Sequence, residues 1–251
     1  MSDVVLFSPL DQFQIRPIIN LSVGDLDFSF TNSSLFLLIA LGFASFILWS
    51  THTALLVPSR WQSVVELVYE FVLGIVREQI GPKGKYYVPL IFVLFLFIFL
   101  CNMTGMVPYS FTVTSHIAIT FGLALALFIG VNVIAFQHHG LHFFSFFLPS
   151  GAPTAMAPLF VGIELFSYIF RVVSLSVRLF ANMTSGHALL KILAGFGWTM
   201  LTTGGVLSVL SVFPLLLVFA ITGLELAIGF LQAYVFCVLI CLYIKDAIDL
   251  H

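Results

Sequence analysis

Five charged residues lie inside two long segments that are otherwise almost entirely apolar. They are Glu164, Arg171, Arg178, Lys191 and Glu225. A charge at the centre of a bilayer costs about 2.5–3.5 kcal/mol on insertion scales, so such residues are functional candidates. Carboxyl groups and histidines exchange protons, and a fixed cation can control where they do so. The pattern predicts a proton path, and the alternative is a set of contacts that only hold helices together.

The first of these segments carries a polar stripe along one helical face. At about 100° per residue, the members of the stripe fall within about 40° of Arg178. They are Glu164, Arg171, Ser174, Arg178 and Asn182. His187 falls about 180° from Arg178, on the opposite face. Arg178 and His187 are therefore predicted to have different surroundings, and Gly186 is a point at which the helix could bend between them.

The second segment carries a polar stripe of its own. Its members fall within about 60° of Glu225 on a helical projection. They are Glu225, Gln232, Tyr243 and Asp246. From Glu225 to Asp246 the helix rises about 31 Å, which is about one hydrocarbon thickness. A column of carboxylate, amide and phenol groups of this length suits a proton path.

Arg178 differs chemically from the other candidates. A guanidinium group is not deprotonated in proteins, so Arg178 cannot relay a proton by losing its own. A fixed positive charge favours the ionised form of a nearby carboxylate, whereas desolvation away from that charge favours the protonated form. Arg178 would thus make a moving carboxylate release its proton at one place. Histidine changes charge near neutral pH, so His187 is a candidate proton carrier.

Composition identifies the class of protein. Of the 251 residues, 61% are hydrophobic and only 8% are charged, whereas soluble domains have about 25% charged residues. So few charges cannot cover a soluble fold of this size. The net charge of −2 and the absence of a basic run give no support to nucleic-acid binding.

The apolar pattern predicts an all-α polytopic membrane protein of about six helices in a single membrane domain. It consists of one N-terminal transmembrane helix, one amphipathic surface helix, two further transmembrane helices and a long helical hairpin. The predicted ranges are, in that order, 34–57, 60–80, 88–106 with 116–136, and 155–195 with 206–247. We expect Pro58 to end the first span, because proline cannot continue a helix.

The amphipathic helix has apolar residues at helical spacing, interrupted by acids and one arginine. The apolar residues are Val64, Leu67, Val68, Phe71, Val72 and Ile75. This pattern is typical of a helix that lies on the membrane surface.

The last two segments are too long for a simple crossing. About 40 residues of helix span about 60 Å, twice the bilayer core. They must therefore tilt strongly or break, and Pro214 could kink the second one near its start.

Orientation follows from the basic residues of the short loops. Arg60, Arg77, Lys83 and Lys85 cluster between the first two predicted spans. Basic loops stay on the inner side of a membrane, so the 58–87 loop and the C-terminus are predicted inside and the N-terminus outside. The first 27 residues are acidic, with Arg16 as their one basic residue, so we expect no signal or transit peptide there.

Other polar and sulfur residues give weaker signals. We expect no cofactor and no metal. The three cysteines lie in apolar runs, as small apolar side chains do. A cluster of three histidines could suggest a metal site, although a polar loop at the membrane surface is the commoner explanation. These histidines are His138, His139 and His142.

At the stretch "RLFANMTSGH" (Arg178 to His187) the sequence resembles subunit a of the F-type ATP synthase, in the mitochondrial form of plants and algae. The resemblance covers nearly the whole chain, and the Arg-x-x-x-Asn-x-x-x-x-His element with Gly-Leu-Glu and Leu-Gln-Ala-Tyr is specific. The matching stretches are "WQSVVELVYEFVLGIVREQIG", "CNMTGMVPYSFTVTSH", "GLHFFSFFLPSGAP", "SLSVRLFANMTSGHALLKILAGFGWTML" and "ITGLELAIGFLQAYVFCVLICLYIKDAIDLH".

The resemblance implies a role for each candidate. Arg178 would be the essential residue that faces the carboxylate of the c-ring, a ring of subunit c copies, with Ser174 beside it. An inlet half-channel from the intermembrane space would contain Asn182, His187, Glu225 and Gln232. An outlet half-channel to the matrix would be lined by Glu164 and Asp246, with Arg171 and Tyr243 as supporting polar residues.

The resemblance also implies partners and a location. The partners would be the c-ring, subunit b of the peripheral stalk, other membrane-sector subunits, lipid and protons, without nucleic acid. The location would be the mitochondrial inner membrane, with the N-terminus toward the intermembrane space and the C-terminus toward the matrix. The last two helices would form a hairpin that lies steeply tilted along the c-ring.

Two other functions are compatible with an apolar, charge-bearing chain. An independent secondary transporter would have internal repeats, and no convincing repeat is found. A non-catalytic assembly subunit would use its charges only to dock neighbours. The chain has no Gly-x-x-x-x-Gly-Lys-Ser/Thr phosphate loop, so we expect no ATP chemistry of its own.

Overall fold

The computed structural model describes residues 8, 10–23, 26–51, 57–107, 110–140 and 157–248. These residues are mostly helical, which confirms the all-α prediction, and five helices are long and apolar enough to cross a membrane. The helices are α1 (Asn32–Ser50), α2 (Arg60–Gln79), α3 (Val88–Gly105), α4 (Ile117–His139), α5 (Ala157–Thr203), α6 (Val206–Leu210) and α7 (Val212–Ile248).

The first span is shorter than predicted. α1 ends at Ser50, whereas the sequence predicted a span to residue 57 that Pro58 would end. Residues 52–56 lie outside the described part of the chain. Pro58 instead comes just before α2, where Ser59 caps the helix by accepting a hydrogen bond from the backbone N–H of Gln62 at 3.3 Å.

The two long segments differ from their predicted limits. α5 runs unbroken through Gly186 and continues beyond the predicted end at 195 to Thr203. Gly204 and Gly205 then have φ values of 74° and 68°. Glycine adopts this left-handed conformation without a steric cost, and such residues commonly end helices.

The second long segment is interrupted close to its start. A turn at Ser211 separates α6 from α7, and Pro214 is the third residue of α7. Proline has no N–H to donate to the carbonyl group of Leu210, four residues earlier, so the helical hydrogen-bond ladder is broken at this point. The sequence predicted a kink at Pro214, and the structure has a break between α6 and α7 at this place.

α3 lies at the centre of the bundle and packs against α7 and α1. The side chains at the contact are large and fully enclosed, including Ile91 and Ile98 of α3 and Phe236 and Ile240 of α7. The cysteines are buried, and Cys101, Cys237 and Cys241 are all free thiols. This core fixes the positions of α3 and α7 relative to each other.

α2 packs one side against α3 and α7. Val65, Val72, Ile75 and Val76 are buried there. Phe71 contacts the rings of both neighbours, Phe95 of α3 at 5.8 Å and Tyr234 of α7 at 5.8 Å between ring centroids.

The predicted apolar face of α2 is only partly correct. Val64 and Leu67 are 56% and 68% exposed, although the sequence grouped them with Val72 and Ile75. The apolar surface of α2 is wide enough that one part contacts the protein and another part remains open.

A short stretch before α1 contains four β-strands, which the sequence analysis did not predict. The strands are β1 (Pro17–Ile19), β2 (Ser22–Val23), β3 (Leu26–Asp27) and β4 (Phe30–Thr31). β1 pairs with β4 and β2 with β3, both antiparallel, so the chain folds back on itself before α1 begins. Thr31 caps α1 through a reciprocal capping box with Ser34.

Replacement of Phe236 by alanine should destabilise the bundle. The Phe236 ring is only 2% exposed between packed helices, and its removal leaves a cavity that typically costs about 3–5 kcal/mol. We expect a clearly lower midpoint of thermal unfolding for the purified chain in detergent. Phe219→Ala on the same helix is the matched control, because that ring is 81% exposed. Equal midpoints for the two variants would contradict this packing.

Candidate functional site

Arg178 lies in the middle of α5 with its side chain exposed. Within the described part of the chain, no carboxylate pairs with its guanidinium group. The exposed positions around it, one and two turns away on the same face, have mostly small side chains. They are Ser174, Ala181 and Ser185. This face of α5 thus presents a permanent cation on a surface that lets another helix approach closely.

The remaining members of the predicted α5 stripe have different environments. Ser174 is exposed, whereas Asn182 and Glu164 are half-buried. Arg171 turns toward α7, as described below. The stripe is therefore not one continuous contact, and its members divide between the open face and the interface with α7.

Glu225 is a buried acid of α7 and is 8% exposed. Its side chain lies against Gly186 of α5, where a methyl group built on Gly186 would come within 2.9 Å of the carboxyl carbon, Cδ. Neither carboxyl oxygen has a hydrogen-bond partner among the described residues. The role of Gly186 is therefore to leave space for a carboxyl group between two helices.

His187 is next to this contact and is half-buried. Its Nε2 lies 3.2 Å from Thr112 Oγ1, in the segment that connects α3 to α4. One turn earlier on α5, the Thr184 hydroxyl donates a hydrogen bond to the Ser115 carbonyl at 3.3 Å. The structure thus places Glu225 of α7 against Gly186, the neighbour of His187 on α5, without a hydrogen bond between Glu225 and His187.

Asn102 is a polar residue of this region that the sequence analysis missed. It is fully buried on α3, and its Nδ2 donates a hydrogen bond to the Gly229 carbonyl of α7 at 3.1 Å. Gly229 lies one turn from Glu225, and the half-buried Gln232 follows. Asn102 could have been found from the sequence, because it is an asparagine within a predicted transmembrane run. Thr112 lies in a loop, where a threonine gives no such signal.

A cavity of about 850 Å³ opens beside His187. Its walls come from α5, the α3–α4 connection, α1, α7 and the residues before α1. Thr112, His187, Lys191 and Thr222 are among its polar lining residues. The cavity therefore connects the outside of the bundle with His187. The neighbouring residue on α5 is Gly186, which contacts Glu225.

A second polar group lies at the other end of the interface between α5 and α7. Arg171 Nη1 lies 3.1 Å from Asp246 Oδ2, and both side chains are partly exposed. The guanidinium group also lies 5.7 Å from the Tyr168 ring centroid and 5.5 Å from that of Tyr243. The Tyr168 hydroxyl donates to Asn132 Oδ1 of α4 at 2.8 Å. This group joins α4, α5 and α7.

Arg178 lies on α5 between two clusters of polar side chains, one around Arg171 and Asp246 and the other around His187 and Glu225. At about 1.5 Å per residue, it is about 10 Å from Arg171 and about 14 Å from His187 along the helix axis. The two groups are formed by α5 and α7 in antiparallel contact, because Gly186 meets Glu225 and Arg171 meets Asp246.

The histidines of the α4 end do not form a metal centre among the described residues, where no suitable cluster of ligating side chains is found. His139 Nε2 lies 3.1 Å from the Ile248 carbonyl oxygen, and His138 is exposed. His142 lies outside the described residues.

The fold and these groups define a class of protein, a polytopic helical membrane protein with ionisable side chains between two long transmembrane helices. The family model of the ATP synthase A chain matches residues 33–245, and the chain belongs to that family. This membership confirms the resemblance noted in the sequence and decides against an independent secondary transporter.

Three curated relatives match this chain over almost their whole length. The chain is 53% identical to ATP synthase subunit a of Chondrus crispus over 250 residues, 98% of each chain. It is 52% identical to the subunit a of Brassica napus over 259 residues, which cover 99% of this chain and 98% of the relative. The subunit a of Rhodospirillum rubrum is 49% identical over 247 residues, 98% of this chain and all of the relative.

The contact between Arg171 and Asp246 can be tested by a double-mutant cycle. We expect Arg171→Ala and Asp246→Ala each to destabilise the purified chain, and the double variant to lose less than the sum. Because the two side chains are 27% and 36% exposed, solvent screens the pair and a coupling of roughly 0.5–1 kcal/mol is expected. Thermal unfolding in detergent measures it, and strictly additive losses would contradict the pairing.

Proposed function

We propose that this chain is the proton-translocating stator subunit of the membrane sector of ATP synthase, in a mitochondrial inner membrane. Two offset half-channels lead protons to and from a carboxylate on each subunit of the c-ring. Arg178 separates the half-channels, so that protons pass between them only by riding on the rotor. Rotation driven in this way is coupled to ATP synthesis elsewhere in the complex.

One observation carries this proposal: Arg178 is an exposed cation without a carboxylate partner in the described chain, and it lies between the two polar clusters that α5 forms with α7. A permanent charge on a lipid-facing surface costs several kcal/mol, so a partner is needed on that surface. Small side chains beside Arg178 favour a closely packed helix as that partner. A carboxylate on this helix would be ionised when it faces the guanidinium group.

The inlet half-channel is formed by the cavity, His187 and Glu225, with Asn182 and Gln232 as further polar groups. Protons reach His187 from the cavity and pass by way of Glu225 toward the c-ring. Asn102 holds α3 against the backbone of α7 next to Glu225 and thereby fixes this wall. The cavity lining, His187 and Glu225 are far apart in sequence, so their proximity depends on the packing of α3, α5 and α7.

The outlet half-channel starts on the other side of Arg178. Glu164 and Asp246 line it, and Tyr243 and Arg171 support them. Asp246 Oδ2 lies 3.1 Å from Arg171 Nη1, and this contact holds the carboxyl group at the interface between α5 and α7. The half-buried Glu164 supplies a second carboxyl group on the same side of Arg178.

The orientation in the membrane follows from the basic residues. The surface helix α2 and the C-terminus lie on the matrix side, and the residues before α1 lie toward the intermembrane space. The inlet cavity has residues before α1 in its wall, so this orientation opens it to the intermembrane space. Subunit b, other membrane-sector subunits and lipid cover the remaining apolar surface.

Replacement of Arg178 by alanine should abolish coupled ATP synthesis, because the half-channels lose the fixed charge between them. The measurement is proton-driven ATP synthesis by the purified complex in vesicles. Arg77→Ala on α2 is the control, since Arg77 is exposed and distant from α5 in the sequence. Normal synthesis by the Arg178 variant would reject the proposal and favour a subunit that only docks its neighbours.

Replacement of Glu225 by glutamine should slow passive proton flux through the membrane sector by roughly 10- to 100-fold, because the amide cannot take up and release a proton in the same way.

Gly186→Ala should slow flux about tenfold although it removes no ionisable group, since the added methyl group displaces the carboxyl group of Glu225.

The matched control for Gly186→Ala is Gly195→Ala on the same helix. A methyl group on Gly195 meets no atom within 4 Å, and both changes raise helix propensity equally. Flux through the Gly195 variant should equal that of the parent chain. If both alanine variants behaved alike, the contact between Gly186 and Glu225 would have no functional role.

A further inference from the structure

The residues before α1 form part of the cavity wall, although the proposed proton path does not use them. Asp11, Gln14 and Arg16 line the cavity together with Lys191 and His187. We name the described residues of this segment, 8, 10–23 and 26–31, the inlet cover.

The inlet cover is attached to the bundle by the first residue of α1. Asn32 Nδ2 donates a hydrogen bond to the Gln14 carbonyl at 3.1 Å, and Asn32 Oδ1 accepts one from the Arg16 backbone N–H at 3.1 Å. The Asn32 backbone N–H donates to the Arg16 carbonyl at 3.1 Å. Within the cover, β1 pairs with β4, which leads directly into α1. These bonds hold the chain around Asp11 at a fixed place beside the cavity.

The cover also attaches to α5 next to the cavity. Lys191 Nζ donates a hydrogen bond to the Ser8 carbonyl at 3.5 Å. Lys191 is one turn from His187 on the same helix, so the positive charge of its ammonium group acts on the space in front of the histidine. The cover and α5 therefore enclose the cavity from two sides.

The charges that line this space are unequal. Arg16 and Lys191 bring two cationic side chains to the lining, and His187 is a third basic group. Asp11 is the one carboxylate that lines the cavity among the described residues. Its Oδ1 accepts a hydrogen bond from Gln14 Nε2 at 3.3 Å, which keeps the acid beside the cover backbone. Without Asp11, the lining would carry only positive charge and would repel protons.

We propose that the inlet cover is the outer wall of the proton inlet and that Asp11 is its cation-attracting residue. The carboxylate offsets Arg16 and Lys191 and raises the local concentration of protons in front of His187. This inference rests on the proposed function of the cavity as the inlet, and it adds a wall and an acid to that site.

The experiment uses the complete complex with Asp11→Cys and measures passive proton flux into vesicles at low ionic strength. The new thiol is labelled in detergent, before reconstitution, with either of two methanethiosulfonates of similar size. One adds an ethylsulfonate and restores a negative charge; the other adds an ethyltrimethylammonium and introduces a positive one. The three native cysteines are buried, and the labelled parent complex corrects for any reaction at them.

We expect the unlabelled Asp11→Cys complex to conduct about threefold more slowly than the parent, because one attractive charge is missing at the inlet. The sulfonate label should restore the rate, and the ammonium label should lower it further. These differences should largely disappear at about 1 M salt, where the Debye length is about 3 Å. The control is Glu78→Cys on α2, an exposed acid outside the cavity lining, whose labels should leave the flux unchanged.

Equal rates with both labels, or a difference that persists unchanged at high salt, would overturn the proposal for Asp11. A parallel His187→Ala complex separates this failure from failure of the proposed function. If His187→Ala slows flux at least about tenfold while the two labels act alike, the cavity is the inlet and Asp11 has no electrostatic role. If His187→Ala conducts normally, the cavity is not the inlet and both proposals fail.

Discussion

The rest of this structure depends on the cost of a permanent charge in hydrocarbon. Arg178 cannot lose its proton, and within the described chain it has no carboxylate partner. Such a residue is stable only if another surface covers it and supplies a negative charge. The exposed small side chains beside it leave room for that surface. The helices therefore pack into a bundle, but the site around Arg178 lacks a negative partner among the described residues. The proposed function rests on that missing partner.

The two polar clusters of the α5–α7 interface differ in whether their carboxyl group has a partner. Arg171 and Asp246 form an ion pair that is partly open to solvent, so solvent screening keeps the energy of their contact small. Glu225 is buried without a hydrogen bond to the described residues, in a space that Gly186 leaves open. A carboxyl group in such a place is costly to hold, which is typical of groups that handle protons and unusual for groups that only join helices.

Much of the fold follows from hydropathy alone. The runs that became α1, α3 and α4 are long and free of charge, and the two longest segments exceed a single crossing. Their ends were less predictable. Gly204 and Gly205 end α5 later than the polarity of the sequence indicated, because backbone conformation and not side-chain polarity decides that end. The segment before α1 folds back through the pairing of β1 with β4 and the hydrogen bond between Arg16 and Asn32, contacts too distant in sequence for local propensity to reveal.

The sequence by itself determined that the chain is a helical membrane protein with acids, a histidine and a fixed cation inside its apolar segments. It also placed Arg178 and His187 on opposite faces, because helical periodicity is a local property. Only the tertiary structure decided that Gly186 makes room for Glu225, that Thr112 and Asn102 join this region, and that residues before α1 enclose the cavity. These contacts connect positions far apart in sequence, and packing in three dimensions is what brings them together.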